Sequence, residues 1–149
     1  MANRLLPLTG VDASASRSVR TEGHGPTWRH TSSRELPGAV ATAAATIKHR
    51  HRLTGVVAPL ALHDAIAVAL EPAGLHAVDH LHQLHPGEVP LFGPEQVKGL
   101  EFDGVVVVEP DQILGDTPRG ARLLYVAMTR AVQELAFVSS TPVPTPALA

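Results

Sequence analysis

A chain of 149 residues has the length of one domain, and with 44% apolar but only 3% aromatic residues its core has to be aliphatic. Its 12 Lys and Arg against 14 Asp and Glu leave a net charge of -2, which excludes a generally basic coat for nucleic acid or anionic membrane. The absence of cysteine excludes disulfide scaffolds, thiol catalysis and thiolate-bound zinc. The charge is unevenly spread: residues 1–52 hold eight Lys and Arg against three Asp and Glu, net +5, and residues 53–149 hold four against eleven, net -7. A polyanion contact is therefore expected from the first third. No stretch approaches the roughly 18 uninterrupted apolar residues of a membrane span, and the N-terminal apolar patch is too short for a secretory signal, so no membrane contact and a cytoplasmic chain are expected.

Residues 1–34 read as a truncated leading part, mostly loop, with an edge strand near Ser18–Thr21. Ser32-Ser-Arg-Glu35 fits a capping box, Pro37 suits a first helical turn, and Ala39–Ile47 is a strong helix former that ends in basic residues. The pattern predicts a helix over 37–51. Gly55–Ala58 reads as a strand, and Leu60, Leu62, Ala65, Ile66, Ala69 and Leu70 recur at helical spacing up to Pro72. Weak strands follow near His76–Val78 and Glu88–Phe92, then a clear one at Gly104–Glu109, whose four consecutive valines suit burial on both faces. Thr117-Pro118 offers an N-cap and a first-turn proline for a helix from 118 to about 132, with Ala121, Leu124, Met128, Ala131 and Leu135 along one stripe. Leu135–Val138 is a last strand, and the Pro/Thr-rich residues 140–149 read as a disordered tail.

Alternating strands and helices define an α/β domain over 35–139, with a mainly parallel sheet and helices on both faces. Ligands of such sheets sit beyond the carboxyl ends of the strands, which directs attention to the loop 93–103 and the helix after Pro118.

Two stretches carry the most specific pattern: Gln96-Val-Lys-Gly-Leu-Glu-Phe-Asp-Gly-Val-Val-Val-Val108 and Leu123-Leu-Tyr-Val-Ala-Met-Thr-Arg-Ala131. Together they resemble motifs V and VI of superfamily 1 helicases of the UvrD/Rep type, in the order and roughly the separation of that family. Asn3-Arg-Leu-Leu-Pro7, Ser18-Val-Arg20 and Pro26-Thr-Trp28 look most like the helicase-D-like proteins that act on RNA polymerase. The resemblance implies a RecA-like, P-loop NTPase-type fold and the second motor domain of an ATP-dependent DNA helicase or translocase. It assigns Arg130 as the arginine finger, a permanently charged fork suited to phosphate oxygens. It gives Glu101 the ribose of ATP, places Gly99 in the ATP-binding loop, and makes Gln96, Lys98, Gly99, Leu100, Glu101, Phe102 and Asp103 a loop that couples cleft closure. Tyr125 and Thr129 lie on the motif VI helix with Arg130; for Tyr125 packing accounts for the position equally well. Outside the motif, Arg130 reads as a solvent-facing cation, Glu101 as a loop carboxylate and Gly99 as a turn glycine.

No G-x-x-x-x-G-K-[ST] occurs, so the chain lacks its own P-loop, and ATP with Mg²⁺ is expected only together with an upstream P-loop motor domain. Glu109 and the following Pro110 end the valine strand, and Glu109 is read as structural. Glu95 stands where the family offers DNA contacts, and a carboxylate repels phosphate, so DNA binding is expected to be weak. A different class of function, a non-catalytic interaction module or remnant that binds a partner such as RNA polymerase, also fits a chain without a P-loop. His76, His80, His82 and His85 cluster near Asp79, but zinc needs three or four converging ligands and polar residues are ordinary in such a loop, so no metal is expected. Glu101 and Asp103, two residues apart, could form a hydrolase dyad, yet the motif accounts for both.

Overall fold

The computed structural model describes residues 25–141. Within them lie β1 (Thr27–His30), α1 (Leu36–Arg50), β2 (Thr54–Val57), α2 (His63–Leu70), β3 (His76–Val78), β4 (Glu88–Phe92), β5 (Phe102–Val108), α3 (Pro110–Leu114), α4 (Pro118–Thr129) and β6 (Ala131–Ser139). Short 3-10 turns at Leu60–Leu62, Glu71–Ala73 and Pro94–Gln96 complete the list. The six strands form one sheet in the order β1-β6-β5-β2-β4-β3, and every pairing is parallel. The expected α/β class holds, with a sheet that is wholly rather than mainly parallel.

The valine run shows why. Val105 and Val107 point into a core shared with α3 and α4, while Val106 and Val108 point into a second core under α1 and α2. All four valines are fully buried. Alternation along one strand thus feeds two layers, which a parallel sheet covered on both faces demands. The aromatic residues are few but placed where they matter: Trp28 stacks on Phe137 with ring centroids 4.1 Å apart, fixing β1 to β6. Among the described residues no helix is long and apolar enough to cross a membrane.

Several expectations are corrected. A strand forms at Thr27–His30, inside the stretch read as loop, whereas the strand expected at Ser18–Thr21 and the tail beyond Thr141 lie outside the described residues. The capping box is only half made. The backbone N–H of Glu35 donates to Ser32 Oγ at 3.2 Å, but the Glu35 carboxylate turns to the Ser32 and Thr31 hydroxyls, and the pair closes a turn just ahead of α1. The helix after Pro118 ends at Thr129, three residues early, and Ala131 and Leu135 belong to β6. Apolar residues four apart fit a helical stripe, but 131 and 135 also share parity in a strand, and pairing of Ala131 with Phe102 decides for the sheet. The short α3 follows directly on the valine strand, where Pro110 opens the helix rather than only ending the strand.

Candidate nucleotide-facing site

The loop from Gly93 to Glu101 leaves the carboxyl end of β4 and enters β5 at its amino end. Its first turn is closed by the Gly93 N–H donating to Gln96 Oε1 at 2.6 Å, so Gln96 serves the loop's own shape. Val97 is buried as the anchor, and the Leu100 N–H donates to the Val97 carbonyl at 3.1 Å. Between them Gly99 has φ +82, a left-handed conformation that a side chain would strain, with nothing within 4 Å of where a Cβ would stand. Glycine is therefore required by the turn, and the space beside it is open. Lys98 and Glu101 are exposed on either side.

Helix α4 meets this loop at its C-terminus. Thr117 caps its start by accepting from the Gly120 N–H at 3.0 Å, as its Thr-Pro signature predicts. Its far end carries Arg130 at the C-cap. The guanidinium is half-buried and donates three ways: Nε to the Val126 carbonyl at 3.2 Å, Nη1 to the Leu100 carbonyl at 3.2 Å, and Nη2 to Thr129 Oγ1 at 3.4 Å. The Arg130 carbonyl in turn accepts from the Phe102 N–H at 2.9 Å. Loop and helix are thus clamped together through both the backbone and the side chain of one residue. The expectation of a solvent-facing Arg130 is corrected: it ties the two motifs to each other, with two N–H groups left over from the five of a guanidinium.

The structure brings Gly99, Leu100, Glu101, Thr129 and Arg130 to one place. Phe102 is buried in the core under α4, and Asp103 faces elsewhere, accepting from the Leu53 N–H at 3.4 Å at the entry to β2. Tyr125 is half-buried against the same core. Glu95 pairs with Arg119 across 2.9 Å of exposed surface. Glu109 sits at φ 52 with its carboxylate fully engaged, accepting from Ser140 N at 2.6 Å, Ser140 Oγ at 2.7 Å and Gln112 Nε2 at 2.8 Å, which ties the ends of β5 and β6.

The place itself corrects the general rule applied to the sequence. Leu100, Glu101 and Arg130 lie at the amino ends of β5 and β6, not beyond the carboxyl ends of the strands. Only the Gly93–Glu95 side of the loop is at a carboxyl end.

Two features carried little or no signal in the sequence. The Leu100 acceptor is a backbone atom, which no motif encodes. The other is a buried carboxylate, Glu134 on β6, which accepts from Arg50 Nε at 3.0 Å, from Arg50 Nη2, and lies 3.1 Å from His51 Nε2. Burial works to raise the Glu134 pKa, but the hydrogen bonds and charges of Arg50 and His51 prevail and hold it below the usual glutamate value. The basic end of α1 was visible, but its partner lies 84 residues away. Among the described residues no group of three or more His, Asp or Glu side chains converges as a metal site would; His80 Nδ1 instead meets the His82 carbonyl at 3.0 Å.

Residues 95–138, which hold the loop, α4 and most of β6, match the UvrD-like helicase C-terminal domain family. The whole fold is similar to the crystal structure of the C-terminal domain of a possible DNA helicase from Lactobacillus plantarum WCFS1, with a TM-score of 0.68 and 24% identity over 98% of this chain and 89% of that one. None of the curated proteins matches the sequence. The class is thus a parallel α/β, RecA-like domain. Within that class the chain matches the UvrD-like helicase C-terminal pattern over those residues, and its fold is similar to that of the C-terminal domain of a possible DNA helicase.

Proposed function

We propose that this chain is the second motor domain of an ATP-dependent superfamily 1 DNA helicase or translocase, which supplies half of an ATP site. The observation that carries the reading is the clamp between Arg130 and the Leu100 carbonyl, because it joins motif V and motif VI at one end of the sheet beside the exposed Glu101. In this reading a P-loop domain holds the phosphates and Mg²⁺. Arg130 meets the γ-phosphate when the domains close, using the N–H groups not spent on the clamp, and Glu101 takes the ribose. Thr129 orients the guanidinium, and Gly99 lets the loop backbone approach the nucleotide. Movement of Leu100 is then felt directly by Arg130, so the loop 96–103 reports cleft closure to the finger. The fit of the UvrD-like pattern to residues 95–138 supports the same assignment.

The test joins this chain to a P-loop first motor domain of a UvrD/Rep-type helicase and measures steady-state ATPase for wild type, Arg130→Lys and the control Arg119→Lys. The reading expects no turnover by this chain alone, turnover when the P-loop domain is restored, and a loss on the order of 10³-fold for Arg130→Lys, worth roughly 4 kcal/mol of transition-state stabilisation, with ATP binding little changed. Equal rates for all three proteins, assayed well below their melting temperatures, would remove Arg130 from the chemistry. No turnover by any of them, even with the P-loop domain restored, would favour the non-catalytic alternative, a module that binds a partner such as RNA polymerase.

A further inference from the structure

The last turn of α1 carries Lys48, His49 and Arg50, and Arg52 follows just beyond its end. Basic residues at a helix C-terminus complement its dipole, and Arg50 finds a full partner in Glu134. Lys48 and Arg52 do not. The half-buried Lys48 ammonium donates to the Arg52 backbone carbonyl at 3.2 Å, and among the described residues neither side chain pairs with a carboxylate. Burial, and secondly the charge of Arg52, lower the affinity of Lys48 for its proton. Among the described residues, two cations are therefore held side by side with no ion-pair partner of their own.

They line a groove of about 450 Å³ together with His85, against an apolar wall of Leu53, Leu84 and Pro86. Among the described residues no carboxylate lines it. The two carboxylates that touch its lining residues are engaged with backbone: Glu88 accepts from the His85 N–H at 2.9 Å, and Asp103 from the Leu53 N–H at 3.4 Å. The groove lies at the amino ends of β2 and β4, the same end of the sheet as Arg130 but on different strands. It also lies between the basic and acidic parts of the chain, with its two full cations drawn from the net +5 segment.

We propose that Lys48, Arg52 and His85 form a phosphate-binding groove, separate from the Arg130 site, that takes a phosphate group of a nucleotide or of a single nucleic-acid strand. An ammonium and a guanidinium fork suit the several acceptor oxygens of a phosphate. The apolar wall beside them lowers the local dielectric, which strengthens the attraction, and suits the nonpolar face of a sugar or base. The groove is large enough for such a group with its attached sugar. This inference stands independently of the ATP half-site, since it uses none of its residues.

The experiment uses the full chain and two probes: a short fluorescent oligothymidylate followed by polarisation, and inorganic pyrophosphate, both as competitor and by direct calorimetry. Two or three phosphate contacts predict that oligothymidylate affinity falls roughly sevenfold to twentyfold between about 50 and 200 mM salt. Lys48→Gln with Arg52→Gln should abolish most of that dependence. Because Lys48 also holds the end of α1, Arg52→Gln alone, on an exposed side chain with no hydrogen bond of its own, is the cleaner variant and should weaken binding severalfold without lowering the melting temperature. Arg34→Gln, on an exposed cation ahead of the other end of α1, should bind as wild type. Binding of oligothymidylate but not pyrophosphate assigns the groove to a strand, the reverse assigns it to free nucleotide phosphate, and binding of both supports either source. No binding of either probe, or binding that Arg52→Gln leaves unchanged, overturns the proposal.

Discussion

The acid stability of the domain should be governed in part by one residue, Glu134. Its side chain is only 3% exposed, yet it carries a charge, because Arg50 forks onto both carboxylate oxygens and His51 reaches one of them. Glu134→Gln keeps the volume and removes the charge. One acceptor survives, but the new amide donors face the guanidinium, so at least one charge-assisted hydrogen bond is replaced by a donor against a donor. Such a bond contributes about 2 kcal/mol in a buried site, and that is the expected loss of stability at neutral pH. The pH dependence follows from direction alone. The folded-state pKa of Glu134 lies below its unfolded value, so the unfolded chain takes up the proton first as pH falls. The stabilisation is complete above about pH 4.3, the ordinary value for an unfolded glutamate, and is lost as the pH falls further through the folded pKa. Urea unfolding of wild type and Glu134→Gln, at neutral pH and in steps from pH 5 to pH 3, measures this gap. It should be constant down to the ordinary glutamate range and then close. A gap that widens with acid, or one that is absent at neutral pH, would refute the reasoning.

Two other substitutions test the packing that holds the candidate site. A Cβ at Gly120 would stand 2.7 Å from the Ile113 carbonyl oxygen and closer still to that of Leu114, both backbone atoms of α3. Gly120→Ala gains about 1 kcal/mol of helix propensity but costs about 3 kcal/mol in overpacking, a net loss of about 2 kcal/mol; a variant as stable as wild type in urea would contradict the close approach of α3 and α4. Arg130→Lys in this chain alone gives up the fork that reaches Leu100, Val126 and Thr129, and should cost about 1–2 kcal/mol, a melting drop of roughly 3–6 °C. An unchanged melting temperature would mean that the clamp contributes nothing to the fold.

Local chemistry was legible and distant pairing was not. The four valines announced a strand buried on both faces, and Thr117-Pro118 announced a capped helix, because each depends on neighbours within one turn or one strand. β1 escaped notice because Thr27-Trp-Arg-His30 is largely exposed and exists through its pairing with β6, more than a hundred residues later. The end of α4 was blurred by Ala131 and Leu135, which satisfy helical and strand periods alike. Motif resemblance singled out Arg130 and Glu101 as candidates without geometry. What it could not supply was the backbone acceptor at Leu100, or the Arg50–Glu134 pair that fixes α1 against β6.

The end of the sheet that carries the site follows from the same topology. In a parallel α/β layer, helix N-termini gather at the carboxyl ends of the strands, where free N–H groups and the positive dipole end can cradle a phosphate. Helix C-termini gather at the amino ends, where carbonyls and the negative dipole end favour cations. This chain follows the second half of that rule: Lys48 and Arg50 close α1, Arg130 closes α4 with its guanidinium on the Val126 carbonyl, and both helices feed the amino ends of their next strands. A domain that holds its own nucleotide needs the first arrangement, together with a P-loop that this sequence does not contain. A domain that offers a cation to a phosphate held elsewhere needs the second, since the helix end both attracts the arginine and keeps it poised. On the function proposed above, this polarity is what the end of α4 contributes: its carbonyls attract Arg130 and hold it for a phosphate bound elsewhere.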